Sequence, residues 1–239
     1  MQVVLLRIGV DSASGGTQGP LFSDGGFEYV PVPDRFRGAG VDKRTYGNTM
    51  GRRGRLMDYF PESRQDKIAD MRIHFDPEFD TFTYGDPTSL KSRLRHLARG
   101  DFLVFYAGLK PDGPGAEAAL YIIGYFIVAK AGRASDFSKS ELRRDFGHNF
   151  HVMHRRVFRD QKNRLVLVKG GHGSRLLNKA FRISSVGKDC AGRPIKVLSP
   201  RMRRIFGDFG GHVAIQRSPP RWISEEYVPD SVRFVKRLR

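Results

Sequence analysis

This sequence predicts an α+β fold in which a curled mixed β-sheet carries short helices at its periphery. Three observations predict it. Residues 100–131, GDFLVFYAGLKPDGPGAEAALYIIGYFIVAKA, hold two dense apolar runs, 102–107 and 118–131, separated by a loop containing Pro111, Gly113, Pro114 and Gly115. β-branched and aromatic residues fill both runs, as in adjacent strands. Further short strand-like runs occur at 3–8 and 164–168, without the regular strand–helix alternation of a doubly wound sheet. The helical patterns are all short, and 39% hydrophobic content over 239 residues is enough for a real core.

The elements follow in order. Residues 3–8 form a strand that gives way to DSASGGTQG, a loop rich in glycine and hydroxyls. Gly25 and Gly26 turn the chain into a short extended segment, 27–32, that ends at prolines. Residues 34–58 are polar and basic, with GRRGR at 51–55, and read as an irregular surface excursion. Residues 62–71 offer a short helix or a turn. In HFDPEFDTFTYGD (74–86), Pro77 and Gly85 argue against a long helix. As a strand, it would put His74, Asp76, Glu78 and Asp80 on one face, a geometry that Pro77 weakens. In SLKSRLRHLAR (89–99), Leu90, Leu94 and Leu97 share one helical face, with Thr88 or Ser89 as N-cap and Gly100 as stop.

Residues 135–148 read as a basic helix with Phe137, Leu142 and Phe146 as apolar contacts. The segment 151–158 is ambiguous, 164–168 is a strand ending in KGGHGSRLL, and PRMRRIF at 200–206 is a short helix. The tail docks by Trp222, Tyr227 and Phe234. Without internal repeats, low-complexity tracts or a clean linker, the expectation is one domain over 1–239, with long insertions and a basic C-terminal half.

The charge is unevenly placed. The net charge is +17, yet 25 of the 42 Lys and Arg and only 9 of the 25 Asp and Glu lie after residue 131. Such asymmetry points to a polyanionic partner, DNA or RNA, with a merely soluble basic surface as the alternative. The lone Cys190 excludes a disulfide within the chain and argues against a cysteine metal site. The N-terminus turns polar too quickly for a signal peptide, and no apolar run reaches the length of a membrane span. A reducing, cytoplasmic setting and no membrane partner are expected.

Four constellations can carry chemistry. Asp11, Ser12, Gly15 and Gly16, directly after a strand, form a loop whose backbone N–H groups can cradle a phosphate. A flexible turn explains the glycines equally, and neither a phosphate-loop nor a dinucleotide fingerprint is present. His74, Asp76 and Asp11 are the acid–base candidates, with Tyr84 alongside. A His near carboxylates suits proton transfer or a divalent metal, whereas Asx-turn capping by Asp76 and Asp86 is the plainer reading. His148, His151 and His154, at offsets of three and six, would gather on one face of a continuous helix. Their neighbours Arg155 and Arg156 favour phosphate over a dication. Lys169, Gly170, Ser174 and Arg175 suit phosphate contacts after a strand. Tyr106, at a strand end, can stack on a base. No spacing matches a metal signature, so no metal ligand is assigned, and the cofactor is unknown.

The run GDFLVFYAGL followed by ALYIIGYFIVAKA resembles the core of PUA-like domains, including the ASCH and EVE groups. That resemblance implies a small curled β-barrel of a kind that binds RNA or modified DNA bases. The wider set resembles the nucleotide modification associated domain 3 family. It comprises IGVDSASGGTQGPLF (8–22), FEYVPVP (27–33), HFDPEFDTFTYGD (74–86), GDFLVFYAGL (100–109) and LVLVKGGHGSRLLNKAF (165–181). The resemblance spans roughly residues 3–185. It implies a place in phage or bacterial systems that make modified DNA bases. By position it directs attention to Asp11, Ser12, Gly15 and Gly16, to His74, Asp76, Tyr84 and Gly85, and to Lys169, Gly170, Ser174 and Arg175.

The resulting expectation is a nucleic-acid-associated protein that receives a nucleotide or an extruded base in a pocket and acts on it. The alternatives are a non-catalytic reader of modified bases, or an enzyme acting on a free nucleotide.

Overall fold

The computed structural model describes residues 1–11, 16–34, 36, 42–113, 115–216 and 219–239. Its strands are β1 (Val3–Arg7), β2 (Gly19–Leu21), β3 (Val32–Pro33), β4 (Ile73–His74), β5 (Thr83–Asp86), β6 (Phe102–Pro111), β7 (Ala119–Arg133), β8 (Val166–Gly170), β9 (Arg175–Arg182), β10 (Ser184–Lys188), β11 (Pro194–Leu198) and β12 (Arg221–Trp222). Its helices are α1 (Glu62–Ala69), α2 (Lys139–Phe146), α3 (Phe150–Met153), α4 (Arg155–Gln161), α5 (Pro200–Phe206) and α6 (Val228–Arg237). Short 3-10 helices lie at Leu56–Tyr59, Ser89–His96, Ala134–Asp136 and Glu225–Tyr227.

The sheet grows from the central apolar runs. β6 and β7 pair antiparallel from Phe102 opposite Ile127 to Leu109 opposite Ala119, with a register slip between Phe105 and Tyr106. Both faces are covered, so the runs are apolar throughout rather than alternating. Phe102, Leu103, Phe105, Ile122 and Phe126 are all essentially inaccessible, each contributing roughly 1.5–3 kcal/mol by burial. β1 lies parallel to β6, from Val3 opposite Phe102 to Arg7 opposite Tyr106, and β12 adds antiparallel to β1. β2 runs parallel to the far end of β6.

The 15-residue β7 serves two neighbours along one edge. Its first half pairs β9 and its second half pairs β8. β8 in turn pairs β5. The path β12–β1–β6–β7–β8–β5 leaves both ends unpaired among the described residues. The mixed sheet with several short helices is therefore present, whereas the expected closure into a PUA-like barrel is not seen. β3–β4 and β10–β11 form separate two-stranded sheets.

Several sequence expectations differ from the structure. Leu94 and Leu97 are buried but Leu90 is 67% exposed. The segment is a 3-10 helix, and at three residues per turn Leu90 lies a third of a turn from Leu94. The supposed surface excursion contributes Tyr46 and Leu56 to a second apolar cluster with Val10, Val30, Phe60, Ile68 and Ile73. The Tyr46 hydroxyl donates to the Pro31 carbonyl there. The segment left ambiguous, 151–158, is helical on both sides of His154, whose extended backbone separates α3 from α4, so the three histidines share no continuous helix. In 74–86 a tight turn pairs Glu78 with Thr83 in both directions, so His74, Asp76, Glu78 and Asp80 do not share a strand face. Glu78 instead meets Arg44 at 3.3 Å, and Asp80 is exposed.

Two features bring α2 and α3 to the site. Ser138 caps α2 and exchanges hydrogen bonds with Glu141, as a capping box does. Lys130 of β7 ties α2 down through Glu141 at 2.7 Å and Asp145 at 3.1 Å. The next helix, α3, lies directly on β5 at Gly85. A Cβ there would stand 2.9 Å from Asn149 Oδ1 and 3.1 Å from His151 Cδ2, so only glycine admits so close an approach. Among the described residues no helix is long and apolar enough to cross a membrane.

Candidate functional site

A cavity of about 1010 Å³ opens beside the end of β1. One wall is Arg7, Ile8, Gly9 and Asp11. Its floor is His74, Asp76, Tyr84, Gly85, Asp86 and His151, delivered by β4, the segment that follows it, β5 and α3. The opposite wall comes from the start of β7 and the β10–β11 hairpin, with Val186, Ile195 and Lys196, together with Gln216. Phe36 stands over the floor, 37% exposed, with its ring centroid 6.3 Å from those of both His74 and His151.

At the floor, the two oxygens of Asp76 face different partners. Its Oδ1 accepts from the Gly85 N–H at 2.8 Å, and its Oδ2 lies 3.3 Å from His151 Nε2 and 3.8 Å from His74 Nε2. One donor atom from each of the three residues lies within 4.8 Å of the others. His151 is positioned from behind: its Nδ1 stands 2.7 Å from Gln161 Oε1, and its backbone N–H donates to Asn149 Oδ1. With Gln161 Oε1 as acceptor, Nδ1 carries the proton and Nε2 presents its lone pair to the cavity. His74 lies against the Phe150 ring at 3.9 Å, and its Nε2 is buried without a hydrogen-bond partner.

Burial sets the charges. It pushes the Asp76 carboxyl up to about 6, against the opposing pull of His151 and the Gly85 N–H. It holds His74 well below the ordinary imidazole range, helped by His151, His154 and Lys91. The remaining cavity charges are largely paired: Arg7 with Asp11 at 3.2 Å, and Lys91 with Asp86 at 2.7 Å. Asp86 also takes the Thr88 N–H at 2.7 Å, the Asx capping anticipated from sequence, and accepts from the Tyr84 hydroxyl at 3.2 Å. Such a floor offers proton acceptors, hydrogen-bond donors and nitrogen and oxygen donors for a cation.

The sequence-derived residues separate into two groups. Asp11, His74, Asp76 and Tyr84 line the cavity together. Ser12 and Gly15 lie outside the described residues, and Gly16 (φ 72°) donates its N–H to the Asp11 carbonyl. Tyr106 is fully buried and its hydroxyl donates to the Ile215 carbonyl at 2.9 Å, so its ring is not on the cavity wall. Lys169 donates to the Thr81 carbonyl, and Ser174 accepts from the Ile127 N–H at 3.0 Å. Gly170 is packed against Phe126 and Ser174, and Arg175 is exposed. None of these four lines the cavity.

Sequence reasoning did not join His151 to Asp76, and it passed over Phe36, Lys91 and Gln161. His151 carried a usable signal in the HNFHVMH cluster. Its partners lie far away in the chain, and no local spacing reveals them.

No curated protein and no solved structure matches the chain. The family model for nucleotide modification associated domain 3 matches residues 2–230. With the match running from the start of β1 into α6, the chain belongs to the nucleotide modification associated domain 3 family.

Proposed function

We propose that this protein binds a nucleotide in the cavity and acts on its base within a DNA base-modification system. The observation that carries this reading is the convergence of Asp11, His74, Asp76, Tyr84 and His151 on one large cavity, in a chain of this family. Its volume lies at the upper end of the range that holds small ligands. The base enters toward the floor and stacks on the Phe36 ring, whose exposed face is turned to solvent. Asp76 and His151 exchange a proton with the base edge, and His74 and Asp11 complete the polar contacts. Lys196 stands at the opposite wall with only a loose 3.9 Å pairing to Glu117, and meets the phosphate. The excess of basic residues after residue 131, exposed Arg175 among them, holds the flanking phosphates of a DNA strand from which the base is extruded.

The test is titration of fluorescent DNA oligonucleotides and of free nucleotides at several salt concentrations. The expected result is oligonucleotide binding that weakens steeply with salt. Phe36→Ala should lower affinity about 5- to 150-fold, the worth of one base–aromatic stack. Binding of neither ligand, or binding indifferent to Phe36→Ala, would overturn the reading. Tight, salt-insensitive binding of a free nucleotide alone would overturn its DNA part. Asp76→Asn is expected to keep oligonucleotide affinity while losing modification of the base. A variant that retained modification would remove Asp76 from the chemistry and favour a reader.

A further inference from the structure

We infer that His74, Asp76 and His151 form a binding site for one divalent first-row transition-metal ion, with its remaining coordination positions open to the cavity. The inference shares the cavity with the proposed nucleotide site but needs no nucleotide in it; with the ion bound, Asp76 and His151 serve as its ligands rather than as proton carriers.

His151 Nδ1 stands 2.7 Å from Gln161 Oε1, and in the tautomer that donates there His151 Nε2 presents a lone pair toward Asp76 Oδ2 at 3.3 Å. An ionised carboxylate at that distance sets acceptor against acceptor. One proton shared between Asp76 and His151 relieves that pair alone. It leaves His74 Nε2, buried and 3.8 Å from the same oxygen, with nothing to bind. A cation among the three atoms satisfies all of them at once.

The geometry fits. Two ligand atoms about 2.1 Å from a metal, at tetrahedral or octahedral angles, are roughly 3.0–3.4 Å apart. The pairs at Asp76 stand at 3.3 and 3.8 Å, and all three donor atoms lie within 4.8 Å of one another, so the set closes on an ion by a modest inward movement of the two imidazoles. The outer contacts are those of metal ligands. Imidazoles that bind metals donate their other N–H to a fixed acceptor, and Gln161 Oε1, 2.7 Å from His151 Nδ1, is placed for that role. Asp76 is anchored through its second oxygen by the Gly85 N–H, which leaves Oδ2 as a monodentate ligand.

Two imidazoles and one carboxylate with open positions are the donor set of non-haem Fe2+ and related ions. The nitrogen ligands select against Mg2+ and Ca2+. The sequence hid the site because two ligands come from one side of a turn and the third from a helix that follows β7.

The experiment titrates Co2+ into the full-length, chelator-treated protein and reads visible absorption and bound metal, with excess Mg2+ present. One Co2+ per chain is expected. His74→Ala and Asp76→Asn should each abolish stoichiometric binding, with near-UV circular dichroism to show that the variants are folded. Gln161→Leu keeps all three donors and should weaken Co2+ about 10- to 100-fold. His148→Ala, at an exposed histidine, should change nothing. Absence of Co2+ binding, displacement by Mg2+, or unaltered binding in both ligand variants would overturn the inference. Nucleotide titration of the same metal-free protein judges the cavity reading separately, so either can fail alone.

Discussion

Asp76 concentrates the energetics of the site in one side chain. Burial raises its carboxyl to about 6, above the value of about 3.9 in an unfolded chain. The folded state therefore holds that proton more tightly. The stabilisation is complete below about pH 4 and is lost as pH rises through about 6. In chelator-treated protein, the melting temperature of Asp76→Asn minus that of the wild type should climb between about pH 4 and 7. A flat difference would show that ionising Asp76 costs nothing. Of the individual residues, His74, Asp76 and Tyr84 were legible because a short aromatic and acidic stretch placed them together. Tyr106 was misjudged because a strand-end tyrosine looks the same whether it faces a ligand or, as here, the Ile215 carbonyl. Phe36 lies in a polar stretch and has no local signature at all.

At the level of elements, the contact of α3 with β5 decides where His151 stands. Gly85→Ala would drive a methyl into Asn149, His151 and Leu167, each within 3.2 Å of the added carbon. Overpacking of this kind costs about 1–3 kcal/mol, and chemical denaturation should show it. The displaced His151 should also weaken ligand binding at the floor, whereas full stability and affinity would mean that α3 slides freely on β5. The β6–β7 hairpin was legible because long apolar runs flanking a Pro/Gly loop admit few other arrangements. The 3-10 form of Ser89–His96 was not, since its leucines satisfy an α-helical pattern equally well. The break at His154 also escaped, because nothing in HVMHRRVF forbids a continuous helix.

Across the whole molecule, the far end of the chain completes the sheet. β12 covers the edge of β1, and Ile223, Val228, Val235 and Leu238 bury themselves against the same core. At roughly 1.5–3 kcal/mol each, those four contributions are comparable with the about 5–15 kcal/mol that keeps a domain folded. A chain lacking residues 221–239 should therefore be unfolded or aggregated by light scattering; a monomeric, cooperatively melting product would contradict this accounting. The mixed sheet was anticipated from strand spacing, but the choice between an open curled sheet and a closed barrel was not decided there, because closure depends on which edges meet. The burial of Tyr46 and Leu56 was likewise hidden behind the charges around them.

The walls of the cavity are drawn from Arg7 at one extreme and Gln216 at the other. A ribosome must therefore release residues 1–216 before every wall of the cavity can stand. Occupancy is thus a late event in the life of each molecule. Partial translation products, though they carry Asp11, His74 and Asp76, would be silent toward the ligand and could not sequester it.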